Sequence, residues 1–326
     1  MISLLRWLVK LSCLYFYTLC SYGQHPYELK VTSENDNYCL RLHDGYYTNG
    51  LFVTLTYLPT GLNNRIDEAS KQIKVTSHYR LGQLIFTPDY ISPKLTIDQI
   101  DRPFAGYLFL EKGMTFFYKK GHVLKTSVSV GTLGKNSLAQ QTQIFIHKTF
   151  DLLTTKGWDY QVKNEIGITA QGQYWHKLTS DSWRPAWLDL HAVAELTGGT
   201  LFTNASTGFL LQVGLFANES ESSLYDVRVS RSTAPLKKNT EVYAFFHPSI
   251  EYQFYNATVQ GGLLSNQGGA VVGTINRWVY THSIGIGFSK PRWTFQTVYT
   301  YRQREAVRMR KNEQYIGLTA AYRFGK

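Results

Sequence analysis

The stretch Ile316-Gly317-Leu318-Thr319-Ala320-Ala321-Tyr322-Arg323-Phe324, close to the end of the 326-residue chain, decides the fold. Side chains alternate between the two faces of an extended backbone, so Ile316, Leu318, Ala320, Tyr322 and Phe324 share one face. Gly317, Thr319, Ala321 and Arg323 take the other. Two earlier stretches repeat the pattern. In Gly50 to Leu58, Leu51, Val53, Leu55 and Tyr57 oppose Phe52, Thr54 and Thr56. In Leu188 to Leu196, Leu188, Leu190, Ala192, Ala194 and Leu196 oppose Asp189, His191, Val193 and Glu195. A face with Asp, His and Glu behind a face of Leu and Ala fits a wall with lipid on one side and a polar lumen on the other. A soluble sandwich shares the alternation; the aromatic terminal strand favours a membrane barrel, although Gly325-Lys326 trail its last Phe.

Composition agrees. The 23 Tyr, 18 Phe and 7 Trp make aromatics 15% of the chain, against 17% charged residues, as in barrels with aromatic girdles. Mean hydropathy is −0.24, ordinary for a chain that exposes apolar groups at every second position only. The net charge of +11 suits phosphorylated lipids as well as nucleic acid. No zinc finger, P-loop or basic helix accompanies it, so nucleic acid is not an expected partner.

Arg6 and Lys10 flank and interrupt an apolar stretch, Leu8 to Leu19, that ends in Ser21-Tyr22-Gly23. This reads as a secretory signal over residues 1–23, cleaved before Gln24. Cys13 and Cys20 leave with it, and Cys39 remains with no intramolecular partner. Beyond Gln24 no apolar run reaches the roughly 18 residues of a spanning helix. Lys119-Lys120-Gly121-His122 and Ser289-Lys290-Pro291-Arg292 punctuate the alternating runs as turns. At roughly 25 residues per strand and connection, residues 24–326 hold about a dozen strands. Gly61–Lys74, Pro88–Asp101 and Glu219–Asn239 read as loops. The expectation is an all-β, transmembrane antiparallel barrel of about twelve strands in a Gram-negative outer membrane.

Four stretches stand out from the strand background. Glu34-Asn35-Asp36-Asn37 clusters oxygens suited to a hard cation, or to an Asx turn. Asp44-Gly45-Tyr46-Tyr47-Thr48-Asn49-Gly50 leads into the Leu51 strand and can expose carbonyls or the Thr48 hydroxyl. Asp101-Arg102-Pro103-Phe104-Ala105-Gly106-Tyr107 reads as a structural corner, with Arg102 the alternative anion holder. From Leu138 to His147 the strand period fails, and Gln143 and His147, four apart, would share one face of a helix in an external loop. Histidine is the usual general base near neutral pH. Neither Gly-x-Ser-x-Gly nor His-Glu-x-x-His occurs, so neither an α/β-hydrolase nor a zincin is expected.

In this order, Glu34-Asn35-Asp36, Tyr47-Thr48-Asn49-Gly50, Arg102-Pro103-Phe104-Ala105-Gly106, Gln143 to His147, and Gly157-Trp158-Asp159-Tyr160-Gln161 resemble the lipid A 3'-O-deacylase family of outer-membrane barrels. The resemblance covers most of the chain after the signal. It implies twelve strands, a calcium-dependent hydrolase acting on an ester-linked acyl chain of lipid A, and an active site between the barrel wall and a loop helix. It places Asn35, Asp36 and Thr48 at the site and around Ca2+, Gln143 beside them, and His147 as general base. The family's active-site lysine matches no position here, and Gly134-Lys135 departs from the family's Gly-Pro. Two other readings stay open from the sequence. One is a serine-type phospholipase barrel using Ser137; the other is a non-enzymatic barrel serving as channel or scaffold.

Overall fold

The computed structural model describes residues 25–325, apart from 40–44, 68, 90–95, 150, 152–155, 181–184, 232–235, 237, 265–268 and 270. The signal expected over 1–23, and Asp44, lie outside them. Twelve strands form: β1 (Tyr27–Asn35), β2 (Tyr46–Tyr57), β3 (Gln72–Thr87), β4 (Ala105–Tyr118), β5 (Val123–Leu133), β6 (Glu165–Lys177), β7 (Leu188–Gly199), β8 (Phe202–Leu215), β9 (Glu241–Asn256), β10 (Trp278–Ser289), β11 (Trp293–Arg302) and β12 (Glu313–Phe324). Each pairs with its sequence neighbour, and β12 closes the barrel on β1 from Tyr27↔Phe324 to Asn35↔Ile316. Closure leaves no open strand edge, the condition for unsupported β-structure in lipid.

The expected alternation holds. Leu51, Val53, Leu196 and Leu318 are exposed on the outer wall, whereas Asp189, His191, Val193 and Arg323 are buried in the lumen. Several lumen charges are paired, among them Arg323 with Glu28 at 2.7 Å and Arg302 with Glu251 at 2.8 Å. In outer-membrane barrels short turns face the periplasm and long loops the exterior. That rule puts Tyr27 of β1 and Phe324 of β12 at the periplasmic end and the connection between β5 and β6 outside.

One expected loop differs from the reading. Within Gly61–Lys74, a helical turn α1 (Thr60–Asn63) forms and β3 already begins at Gln72. The Asn63 side chain explains the early start: it donates to Val75 O at 2.9 Å and accepts from Val75 N at 3.0 Å, standing in for a strand partner. The segment around Glu219–Asn239 is a connection, as expected, and it folds back into the periplasmic end of the lumen. Its Tyr225 and Val227 pack against Phe117, Trp175, Val193 and Leu210. Lys74 Nζ donates to Ser220 O and Val227 O, at 2.7 and 2.6 Å, and Lys30 pairs with Asp226 at 2.5 Å.

Candidate active site

The oxygen-rich corner forms where β1 hands over to β2. Asn35 closes β1 opposite Asn49, so Asp36 and Thr48 follow one another across the same gap. The Asn35 Oδ1 accepts from Asn37 N and Asp36 Oδ2 accepts from Gly45 N, both at 2.7 Å. The first is the Asx turn that the sequence offers here. Thr48 is the extra residue of a bulge between the pairs Tyr47↔Phe86 and Asn49↔Ile85. A bulge re-aims side chains, and Thr48 shares a 2.8 Å hydrogen bond with Thr87. Next to it, Tyr46 takes a left-handed backbone (φ 60°). Its phenol donates to Asp101 Oδ2 and accepts from Arg310 N, both at 2.6 Å, which holds that strained conformation in place.

Asn35, Asp36 and Thr48 are 9%, 2% and 3% exposed, so the corner is covered. Carboxylate, amide and hydroxyl oxygens, withdrawn from water at one turn, are the donor set of a hard cation such as calcium. Among the described residues, another grouping with ligand spacing is Asp189, His191 and Glu219, deep in the lumen. There Lys177 Nζ lies 2.8 Å from Glu219 and 3.3 Å from Asp189, so an ammonium already neutralises it. The Lys177 contact and His191 outweigh burial and hold the Glu219 carboxyl down at about 2.

A helix stands on the outer wall in the same register row as this corner. Residues Asn35, Asn49, Ile85 and Gly106 are successive register partners across β1 to β4. They share the face of Leu51 and Leu110, which is the outer one. At the end of this row stands the foot of α2 (Ala139–Thr149). A Cβ on Gly106 would overlap Ser137 Oγ and Ala139 Cβ, so only glycine admits the helix this close. Gln83 Nε2 donates to Ser137 O at 2.6 Å, adding a polar tie. The row spans about three strand spacings, or roughly 14 Å, and α2 is about 16 Å long.

Ala139, Gln143 and His147 are the buried residues of α2, one stripe at four-residue spacing. The expected shared face of Gln143 and His147 is therefore present and turned inward. On the far side Phe145 is 70% exposed and Ile144 40% exposed, an apolar surface suited to acyl chains. Gln143 has an anchoring partner that the sequence did not reveal: Trp158 Nε1 donates to its Oε1 at 2.8 Å. Trp158 is itself buried, with its ring 5.3 Å from that of Phe104. The stretch Gly157–Gln161 is thus the second clamp on the helix.

Two other candidates are structural. Arg102 is fully buried and ion-paired with Glu305, and its Nη2 also donates to Thr258 Oγ1 at 3.0 Å. It is the corner residue expected, and it holds the β11–β12 connection rather than an anion. Although burial opposes it, Arg102 and then Arg302 keep the Glu305 carboxyl below the usual range. Ser137 is fully buried and its Oγ donates to Gly134 O at 2.6 Å, an arrangement that closes the 3₁₀ turn Gly134–Ser137 rather than arming a nucleophile.

A closed twelve-stranded barrel, with a helix clamped to its outer wall beside buried oxygen donors, is an integral protein of the Gram-negative outer membrane. Residues 8–324 match the family model described as "Outer membrane protein LpxR", and the chain belongs to that family. No curated protein matches. Among solved structures, LpxR from Salmonella typhimurium is similar at 18% identity and a TM-score of 0.69, covering 91% of this chain and 100% of that one. The β domain of the Bordetella autotransporter BrkA is more distant, at 10% identity and a TM-score of 0.48, covering 93% and 100% of the two chains.

Proposed function

We propose that this chain is a lipid A deacylase that hydrolyses an ester-linked acyl chain at the outer wall of the barrel, with His147 as general base. The observation that carries the reading is the buried stripe Ala139, Gln143 and His147, on a helix seated against Gly106 in the same outer-face register row as Asn35. Such an alignment of a base, oxygen donors and an apolar helix face on the lipid side suits a substrate that stays in the membrane. Family membership supports the same chemistry.

Asp36, Asn35 and Thr48 would hold calcium, which when bound supplies a Lewis acid for the ester carbonyl. His147 takes a proton from water as the water oxygen attacks the carbonyl carbon. It then returns that proton to the sugar oxygen as the ester C–O bond breaks, leaving a free fatty acid and a sugar hydroxyl. Asn35, its Oδ1 held by Asn37 N, would offer its Nδ2 group as a donor to the developing negative charge. Gln143, held by Trp158, sets the rotation of α2 and so the aim of His147.

The serine-type reading is disfavoured by the buried, engaged Ser137 Oγ. A conducting channel is disfavoured by the Tyr225 and Val227 segment that fills the periplasmic end of the lumen. The test is mass spectrometry of lipid A from cells making the wild type or His147→Ala, each with and without calcium. Loss of one acyl mass with wild type and calcium alone is expected. An unchanged lipid A spectrum with the barrel folded in the membrane overturns the reading.

A further inference from the structure

The extracellular half of the lumen holds a cavity of about 380 Å³, on the other side of the wall from the proposed reaction. Five carboxylates line it: Glu34, Glu111, Glu251, Glu305 and Glu313. Three have a guanidinium partner. Glu251 lies 2.8 Å from Arg302, Glu111 lies 3.5 Å from Arg80, and Glu305 pairs with Arg102. Glu34 instead accepts from the Tyr47 phenol at 2.5 Å. Glu313 lies 3.9 Å from Arg302, a guanidinium already engaged by Glu251.

The walls also present hydrogen-bond acceptors with nothing to accept. Glu313 is 3% exposed and its Oε1 has no hydrogen-bond partner among the described residues. Six strands away around the barrel, Thr169 is 8% exposed and its Oγ1 is in the same state. Both line the cavity, as do the rings of Tyr47 and Tyr315, whose centroids are 4.5 Å apart. Buried polar groups are normally satisfied, so a concave site with several orphaned oxygens is matched to a donor-rich guest.

We infer that this cavity binds an organic ammonium ion of the polyamine class, with Glu313 and Thr169 accepting its N–H groups from opposite walls. Charge decides for a cation over a neutral sugar, since the five carboxylates share three guanidinium groups, those of Arg80, Arg102 and Arg302. Size decides against a bare metal ion, which needs oxygens converging at about 2.3–2.6 Å and not a space of this volume. Aromatic faces beside carboxylates are the surroundings in which ammonium groups are held.

The test is calorimetric titration of the full chain, folded in detergent with EDTA present, using spermidine as the probe and maltotriose as the neutral comparison. Saturable one-site binding of spermidine is expected, with no heat from maltotriose. Glu313→Gln and Thr169→Val, on opposite walls, should each weaken it by roughly tenfold or more, while Asp98→Asn on an exposed loop leaves it unchanged. Retained gel mobility of the unheated barrel confirms that each variant is folded. Absence of spermidine binding to the folded wild type overturns the inference. So does binding that both lumen variants keep, or equal binding of maltotriose. None of these readouts depends on lipid hydrolysis, so the site stands or falls apart from the deacylase reading.

Discussion

Gly106 of β4 and Ala139 of α2 meet so closely that the glycine has no room for a side chain. The helix carrying the proposed base is seated by the absence of one methyl group. Gly106→Ala should lift the foot of α2 and lower deacylation by roughly tenfold or more, because small displacements of a catalytic group are costly. Gly106→Val should lower it further. Since α2 lies outside the wall, the thermal unfolding midpoint of the barrel should barely move. A full-rate Gly106→Ala enzyme would show that helix seating does not set the chemistry.

Asp36 brings a carboxylate to the outer corner, and calcium affinity depends strongly on ligand charge. Asp36→Asn should therefore raise the calcium concentration for half-maximal activity by roughly tenfold or more. His147→Ala should leave calcium binding intact while abolishing turnover. Calorimetric calcium titration of the two variants separates these roles. An Asp36→Asn protein with unaltered calcium dependence would remove Asp36 from the metal site.

The Trp158–Gln143 hydrogen bond predicts an effect that is positional rather than chemical. Trp158→Phe keeps the ring against Phe104 but leaves a buried amide oxygen without its donor, at a cost of about 1–3 kcal/mol to the docking of α2. Turnover should fall while the apparent pKa of the pH–rate profile stays that of the wild type. A displaced profile would mean that Trp158 acts on the base itself.

At the periplasmic end, His191 and Lys177 outweigh burial and hold the Glu219 carboxyl at about 2, below its ordinary value near 4.5. Lys30 and then Lys125 likewise outweigh burial and keep Asp226 low. Groups with depressed values stabilise the fold above their unfolded pKa and lose that contribution as pH falls through the folded one. The lumen segment should loosen between about pH 4.5 and pH 2, while Glu219→Gln should loosen it already at neutral pH. Fluorescence of Trp175, whose ring lies 4.9 Å from Tyr225, reports the change. A flat acid profile between those limits would contradict it.

The barrel was legible because lipid and lumen impose opposite demands on neighbouring residues. Asp189, His191 and Glu195 on one face of a strand leave few other places for that strand to sit. Helix α2 was legible because its sequence drops the two-residue period, and its bounds, Ala139–Thr149, lie within two residues of the expected Leu138 to His147. The burial of the periplasmic loop is hidden, because Glu219, Asp226 and Arg228 look solvated until their partners Lys177, Lys30 and Glu241 are known. The Thr48 bulge was equally hidden, since a bulge depends on the register of the partner strand and not on the residue that bulges. The hydrogen bond that Trp158 gives Gln143 is likewise hidden, since no spacing rule links residues 143 and 158.

The ladder between β1 and β12 has a consequence for how the chain reaches its final form. Tyr27 finds Phe324 as its partner, so the first strand waits for nearly the whole chain to be delivered. Pairing across so long an interval is slow, and every intermediate before it exposes two unsatisfied edges. Deleting β12 would therefore not yield an eleven-stranded barrel of smaller bore. It would leave a curled sheet that cannot close, and the chain would be lost to aggregation or proteolysis before it met a membrane. Assembly is in that sense decided by the same nine residues, Ile316 to Phe324, whose alternation announces the wall.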